Sequence, residues 1–272
     1  MRTIAFLQLH NELENGNLIR CLENCRRWSD DIFIYDDCST DGSQEIYKKY
    51  TNSQNVILGT VRDFAAELYH KQQLLALALK SNPDWIGWID GDAILCKEIT
   101  ENCKEYLKML DQIGKDGSYL HNLNLWRHPA FYRTDNKFNG LWHVVFWKNN
   151  GHLHYDPVKR LHQPQFPKGM ESIHKPSADV PLLHFGFSSE RLIIKKYLTY
   201  KSYGQTGWML DRLIDEQTSY VLEKVQKYWY PIENLPVDFD TVSMPKSLTY
   251  NAVRALSTWE SFKLTKEYKE LL

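Results

Sequence analysis

The chain has no run approaching the roughly 18 apolar residues of a membrane-spanning helix. It also has no excess of either charge. Lys and Arg number 33 against 34 Asp and Glu, a formal net charge of −1. That excludes a nucleic-acid binder working through a broad cationic surface. The five cysteines, Cys21, Cys25, Cys38, Cys96 and Cys103, form no CxxC pair. Reduced structural thiols in a cytoplasmic protein are the expectation. There is no GxxxxGK[ST] and no GxGxxG after the first apolar stretch, which argues against a P-loop protein and a dinucleotide fold. The opening MRTIAFLQLHNE enters a strand pattern directly, without the longer apolar core and cleavage site of a secretory signal. Internal repeats and low-complexity segments are also missing. What remains is ordinary for a globular protein: 272 residues, 43% hydrophobic and 25% charged, with a heavy aromatic load of nine Trp and sixteen Tyr. Aromatics line sugar sites, but they also fill cores.

The most informative stretch is Trp85 to Leu95. Trp85-Ile86-Gly87-Trp88-Ile89 reads as a buried strand and ends in Asp90-Gly91-Asp92. Two carboxylates at a strand end are costly without a positive partner. Gly91 leaves room for a ligand close to the backbone. Mg²⁺ and Mn²⁺ prefer oxygen donors, and Mg²⁺ uses one or two carboxylates plus substrate phosphates. A strand-end metal site receiving a diphosphate is one reading; a polar turn is the plainer one.

The rest of the first half decides between them. Thr3 to Leu9 is a strand pattern followed by His10-Asn11-Glu12. Leu18, Ile19, Leu22, Cys25 and Trp28 recur at helical spacing. Asp31 to Asp37 is a second strand ending in two acids. Ser39 or Thr40 is placed to cap a helix from Gln44 to Tyr50. Val56 to Leu58 is a third strand, closing before Arg62, and Phe64 to Lys80 is a long helix that Asn82-Pro83 ends. Strands alternating with helices predict an α/β fold, a parallel sheet with helices on both faces. Right-handed crossovers then bring the strand C-termini to one edge, where such sheets bind ligands. His10-Asn11-Glu12, Asp36-Asp37, Arg62 and Asp90-Gly91-Asp92 all fall there. Four polar clusters meeting on one edge favour the metal and diphosphate reading.

These residues resemble family 2 of the nucleotide-sugar-dependent glycosyltransferases, of the GT-A fold. Three segments carry the resemblance. They are His10-Asn11-Glu12 with Cys21-Leu22, Tyr35-Asp36-Asp37-Cys38-Ser39-Thr40-Asp41-Gly42-Ser43, and Trp85 to Asp92. Tyr132-Arg133-Thr134-Asp135, and Leu183-His184-Phe185-Gly186-Phe187 with Lys196-Tyr197, are similar to a bacterial and viral subset. The resemblance implies a Rossmann-like, mostly parallel sheet flanked by helices. It implies that His10 to Glu12 and Asp36 hold the base and ribose, and that Arg62 lines the base pocket. Lys71 would face the diphosphate or the base-side carboxylates. Asp90, beside Gly91, would contact ribose or metal; Asp92 would bind the divalent ion, Mn²⁺ or Mg²⁺; His184 would be a third ligand. Gly91-Asp92-Ala93 departs from the family by lacking a further acid. The general base would be an acid of the acceptor-side half: Asp135, favoured, or Asp156, Glu171 or Asp179. The reaction implied is inverting transfer from a nucleoside-diphosphate sugar to a glycan or glycolipid hydroxyl. Each residue has a plainer role: Glu12 as a helix-start acid, Asp36 as a turn cap, Arg62 and Lys71 as surface charges, and His184 as a satisfied core histidine.

From Leu123 the chain turns rich in Trp, Tyr, His and Asn. Val144 to Gly151 reads as a strand running into a turn, with His152 to Tyr155 returning. His152 and His154 share a face but have no third ligand nearby, which argues against zinc. Gln163 to Pro181 reads as a loop over the site. Helices are expected from Glu190 to Tyr203, Leu210 to Tyr228, and through Ser247 to Leu272. Lys195, Lys196 and Lys201 give a basic face, either solvated or resting on an anionic membrane. The organisation expected is a nucleotide-sugar half (1–122), an acceptor half (123–188) and a helical extension (189–272), as a monomer or dimer. Two other functions stay open. A sugar-phosphate nucleotidyltransferase shares the frame but usually has a Gly-rich basic first loop. A non-catalytic carbohydrate-binding protein would not need Asp90 and Asp92.

Overall fold

The computed structural model of the protein describes residues 1–135, 138, 140–157, 166–207, 210, 213 and 221–244. The chain divides into two compact units. The first comprises Met1–Asn122, Gly140–Leu183 and Tyr228–Leu235; the second comprises the described residues of Leu123–Asn139, His184–Lys227 and Pro236–Leu272.

In the first unit the expected strands form: β1 (Thr3–Leu9), β2 (Asp31–Asp36), β3 (Val56–Leu58) and β4 (Trp85–Trp88). They pair in the order β4-β1-β2-β3, all parallel. Helices α1 (Leu18–Trp28), α2 (Ser43–Tyr47) and α3 (Glu67–Leu79) provide the crossovers. β1 is apolar almost throughout because both its faces are covered, and Ile4, Ala5, Phe6 and Leu7 are fully buried. Phe6, Phe33, Ile86 and Trp88 share a core with Leu74, Leu75 and Ala78 of α3. The alternate residues meet α1. A Cβ on Gly87 would lie 2.6 Å from the Trp28 ring, so only glycine fits there. The helix cap expected from Ser39 or Thr40 is instead Gly42, in the left-handed region at φ 88°.

Beyond β4 the sheet is mixed, which corrects the mostly parallel expectation. β8 (Trp142–Lys148) runs antiparallel to β4, and the first part of β6 (Gly117–Trp126) runs antiparallel to β8. β9 (Ile173–His174) lies parallel to β6, and β5 (Ala93–Leu95) pairs with β10 (Pro181–Phe187). α4 (Lys97–Gln112) packs on α1. Apolar runs report burial but not strand direction, so the sequence could not supply the antiparallel half. His152 to Tyr155 makes only one bridge, His154 to Lys168, rather than a strand. The described part of the expected loop over the site is anchored: Asp116 accepts hydrogen bonds from Glu171 N and Ser172 N at 2.6 and 2.7 Å.

In the second unit the end of β6 turns through Arg127, at φ 61°, into β7 (His128–Arg133), with Trp126 pairing His128. So short a connection joins antiparallel strands only. The Arg133 guanidinium lies 4.3 Å from the ring centres of both Trp126 and Phe138. Helix α5 (Glu190–Ser202) forms as expected, and Ser189 caps it by accepting from Leu192 N. The helix expected over Leu210 to Tyr228 is corrected at its end. Leu222–Lys224 is a strand, β11, antiparallel to β7, and Lys227–Trp229 is a single 3₁₀ turn. Pairing with β7, Leu222 opposite Arg133, Glu223 opposite Tyr132 and Lys224 opposite Phe131, overrode the helical spacing. Residues 211–212 and 214–220 of the stretch from Leu210 to Tyr228, and the tail helix expected from Ser247, lie outside the described residues. No helix among the described residues is long and apolar enough to cross a membrane.

Candidate functional site

The C-terminal ends of β1, β2, β3 and β4 carry the expected clusters side by side, because parallel pairing puts Leu9 opposite Asp36 and Asp36 opposite Leu58. The first two loops are laced together. Asn11 N donates to Ser39 Oγ at 2.9 Å, and Thr40 N donates to Asn11 Oδ1 at 2.8 Å. Glu14 N donates to Asp41 at 2.8 Å, and Leu13 N to Ser43 Oγ at 3.3 Å. Asn11 and Cys38 hold left-handed φ values of 52° and 60°, an arrangement costly for a thiol-bearing residue and tolerated by asparagine.

Asp36 is wholly buried. Its carboxylate accepts from Ser39 N at 2.7 Å, Gln44 Nε2 at 3.2 Å and the Tyr47 hydroxyl at 2.6 Å. Burial and the Asp36 charge together hold the Tyr47 hydroxyl far above its ordinary range. Asp37, one residue on, faces the opposite side of the strand. Its Oδ1 accepts from Asp63 N at 2.9 Å, and its carbonyl meets His10 Nδ1 at 2.7 Å. A carbonyl only accepts, so that ring nitrogen carries the hydrogen. Burial first, then the Arg62 charge, hold the His10 imidazole below its usual value, with Asp37 pulling the other way. Arg62 therefore sits close to His10. Its Nε is buried without a hydrogen-bond partner, an orphan donor of the kind an anionic or carbonyl-bearing ligand would satisfy.

The Asp90-Gly91-Asp92 turn comes next along the edge. Asp90 O accepts from Ala93 N at 2.9 Å, and Asp90 Oδ1 accepts from the Trp88 indole at 3.1 Å. A Cβ on Gly91 would lie 2.6 Å from Leu9 and 2.7 Å from Glu12 Cγ, so glycine is required by close approach. Glu12 rests against this turn, its Oε2 accepting from the side-chain amides of Asn15 and Asn17 at 3.2 and 3.0 Å. Asp92 is 9% exposed. Cys21 registers the gathered negative charge: its thiol is raised by Cys25, by burial, and further by Glu12 and Asp92. Oxygen donors of this kind fit a hard divalent ion, which takes one or two carboxylates and completes its shell with phosphates and water. Among the described residues no group of three or more His, Cys, Asp and Glu side chains is gathered for a metal ion.

Other expected residues lie in different surroundings. Lys71 is fully buried, ion-paired with Glu67, its ammonium 4.3 Å from the Trp88 ring centre. In the second unit His184 places Nδ1 2.7 Å from Asn124 Oδ1 and Nε2 3.3 Å from Lys196 Nζ. Lys196 thus turns toward His184 rather than joining an outer basic face. Asp135 is clamped by Arg133, whose Nε and Nη2 donate to its two oxygens at 2.6 and 3.0 Å. Asp156 is exposed and pairs with Lys168, the hydrogen bond holding its carboxyl below the usual range. Glu171 and Asp179 are exposed and make no ion pair among the described residues. Sequence reasoning passed over Asp37 as a contact of His10, and over Trp88. Their signal was available: Trp88 and Asp90 are two residues apart on an extended segment and share a face.

The model of the family described as Glycosyl transferase family 2 matches residues 6–146. Among solved structures the chain is similar to S. aureus TarS 1–349. Identity is 11% over 78% of this chain and 69% of that one, with a TM-score of 0.46. With the same fragment in complex with UDP-GlcNAc, identity is 17% over 47% of this chain, with a TM-score of 0.35. There the match spans 35% of the other chain. No curated protein matches.

Proposed function

The chain belongs to glycosyl transferase family 2, a family of sugar-transferring enzymes, and on that premise we propose that it moves a sugar from a nucleoside diphosphate to an acceptor hydroxyl, with inversion. The observation that carries this is the continuous polar edge of β1 to β4. An orphaned cationic donor on Arg62 stands at one end and two carboxylates, Asp90 and Asp92, at the other. A nucleotide has matching ends: a base rich in carbonyl and imino groups, and an anionic diphosphate that carries a cation.

Asp90 and Asp92 would hold a divalent ion together with the donor's phosphates, which complete its shell. When bound, the ion neutralises charge growing on the leaving diphosphate. Arg62, with His10 and Asn11, binds and orients the base. Asp36 fixes the loop on which Asn11 and Ser39 meet, and so shapes the base pocket without needing to touch the ligand. Glu12 holds the Gly91 turn in register. An acceptor hydroxyl needs a carboxylate to take its proton. Of the four acids proposed for that task, Asp135 has both oxygens engaged by the Arg133 guanidinium, which leaves it poorly placed to meet an acceptor hydroxyl. Glu171 and Asp179 are unclamped and suit the role better. The acceptor is proposed to be a glycan or glycolipid.

The test is donor hydrolysis and transfer across UDP-, GDP-, CDP- and dTDP-sugars, with and without Mn²⁺, repeated with Asp92→Ala. Metal-dependent turnover of one donor, lost in the variant, is expected. Turnover of nucleoside triphosphate plus sugar phosphate instead would identify a nucleotidyltransferase.

A further inference from the structure

Lys71 is the most deeply buried cation described in this protein, with no exposed side-chain area, and among the described residues its one ion-pair partner is Glu67, a helical turn away. Isolating an ammonium from water is expensive, and one acid, its side chain 18% exposed, offsets only part of the cost. The second thing it touches is the face of Trp88, 4.3 Å from the ring centre. A desolvated cation over an indole is attracted by the ring's negative face. It also draws electron density from the ring, which makes the indole N–H a stronger donor. That N–H is spent on Asp90 Oδ1, at 3.1 Å. The pairing is not forced by burial alone, since the indole nitrogens of Trp28 and Trp147 are buried without a hydrogen-bond partner.

We propose that Lys71 and Trp88 are positioning residues for Asp90. The buried ammonium holds the indole, and the indole N–H pins one carboxylate oxygen, so that Asp90 meets the donor substrate in a single orientation. The inference rests on the transferase reading and deepens it: it gives Lys71 a task performed through Trp88 rather than through contact with the diphosphate. Trp88→Phe keeps a six-membered ring for Lys71 and removes the donor together with the pyrrole ring that bears it. Lys71→Met keeps most of the aliphatic stem and removes only the charge.

The test has two arms. Protein labelled with ¹⁵N-tryptophan gives one indole N–H signal per Trp, and Trp88→Phe identifies that of Trp88. Asp90→Asn and Lys71→Met are each expected to move it. Calorimetric titration with UDP, GDP, CDP and dTDP, each with Mn²⁺, then measures the consequence. Trp88→Phe and Lys71→Met are expected to weaken the best-bound nucleotide about tenfold, the effect of losing one hydrogen bond to a charged group. Neither is expected to weaken it further when Asp90→Asn is already present, because residues acting through one carboxylate are not additive. A Trp88 signal unmoved by Asp90→Asn overturns the proposal, as does full additivity in the double variants. If Trp88→Phe does not fold, the Lys71→Met cycle decides alone. Wild-type protein that binds none of the four nucleotides overturns the transferase reading itself, a result distinct from additivity in a protein that binds.

Discussion

Two pairs of acids end the two strands that flank β1, and the structure gives them opposite employment. Asp36 is sealed, its oxygens consumed by a backbone amide, a side-chain amide and a tyrosine. Asp90 and Asp92 flank a glycine turn against which Glu12 leans, a concentration of negative charge that Cys21 senses. The difference follows from strand alternation. Asp36 points to the side covered by α2, where Tyr47 waits; Asp90 follows Trp88 onto the α3 side, two residues along. An acid at a strand end is therefore a ligand or a strut according to which face it inherits.

The sharpest way to break this contrast is to remove each acid and read stability and turnover separately. Asp36→Ala takes the acceptor from two buried donors, Ser39 N and the Tyr47 hydroxyl, and one of two acceptors from Gln44 Nε2. We expect it to destabilise the fold by about 3 to 5 kcal/mol, the cost of breaking a buried charged network, read as a shifted midpoint in urea unfolding. A loss under about 1 kcal/mol, within the range of one ordinary hydrogen bond, would mean that Asp36 is no strut. Asp92→Ala is expected to do the reverse: turnover falling at least about 100-fold through lost transition-state stabilisation, with the urea midpoint nearly unchanged. Equal losses of stability in the two variants would erase the distinction.

A milder change tests the turn that separates the second pair. Gly91→Ala puts a methyl 2.6 Å from Leu9 and 2.7 Å from Glu12. Leu9 is 2% exposed and cannot retreat, so overpacking of about 1 to 3 kcal/mol is expected, with nucleotide affinity falling alongside it. Pairing the change with Glu12→Ala, which clears one of the two clashes, should recover part of the loss. No recovery would show that the backbone, not the side-chain wall, sets the turn.

How much of this was legible beforehand depended on what kind of information each feature carries. The four parallel strands were readable because burial on both faces leaves continuous apolar runs such as Ile4 to Leu7. The clusters at their ends were readable because alternation of strand and helix fixes where those ends fall. The antiparallel half was not, since Val144 and Val145 would look the same in either direction. Nor was the strand at Leu222, whose three residues carry no alternation and are set by pairing with β7. Within the site, residue types located the edge but not the tasks. Nothing in the string Asp36-Asp37 says that the first is walled in by Tyr47 while the second receives Asp63 N. Lys71 was recognised as a charge facing the site, and its seat on Trp88 required tertiary packing to appear.

The smallest expected effect concerns His10, which joins the two loops through Asp37. Burial and the neighbouring Arg62 charge hold its pKa below the ordinary 6.5. The folded protein therefore takes up this proton less readily than the unfolded chain. The sign follows: stability contributed at neutral pH declines as pH falls through the ordinary histidine value, and levels off once the folded form is protonated too. His10→Asn keeps a donor able to reach the Asp37 carbonyl and removes the titration. Urea unfolding at pH 7.5 and 5.5 should show a smaller acid-side loss in that variant than in the wild type. Arg62→Met removes one of the two causes and should flatten the dependence in part. If His10→Asn leaves the difference between the two pH values intact, the imidazole is not held neutral by its surroundings. The base end of the edge would then carry a titratable positive charge rather than a fixed hydrogen-bonding group.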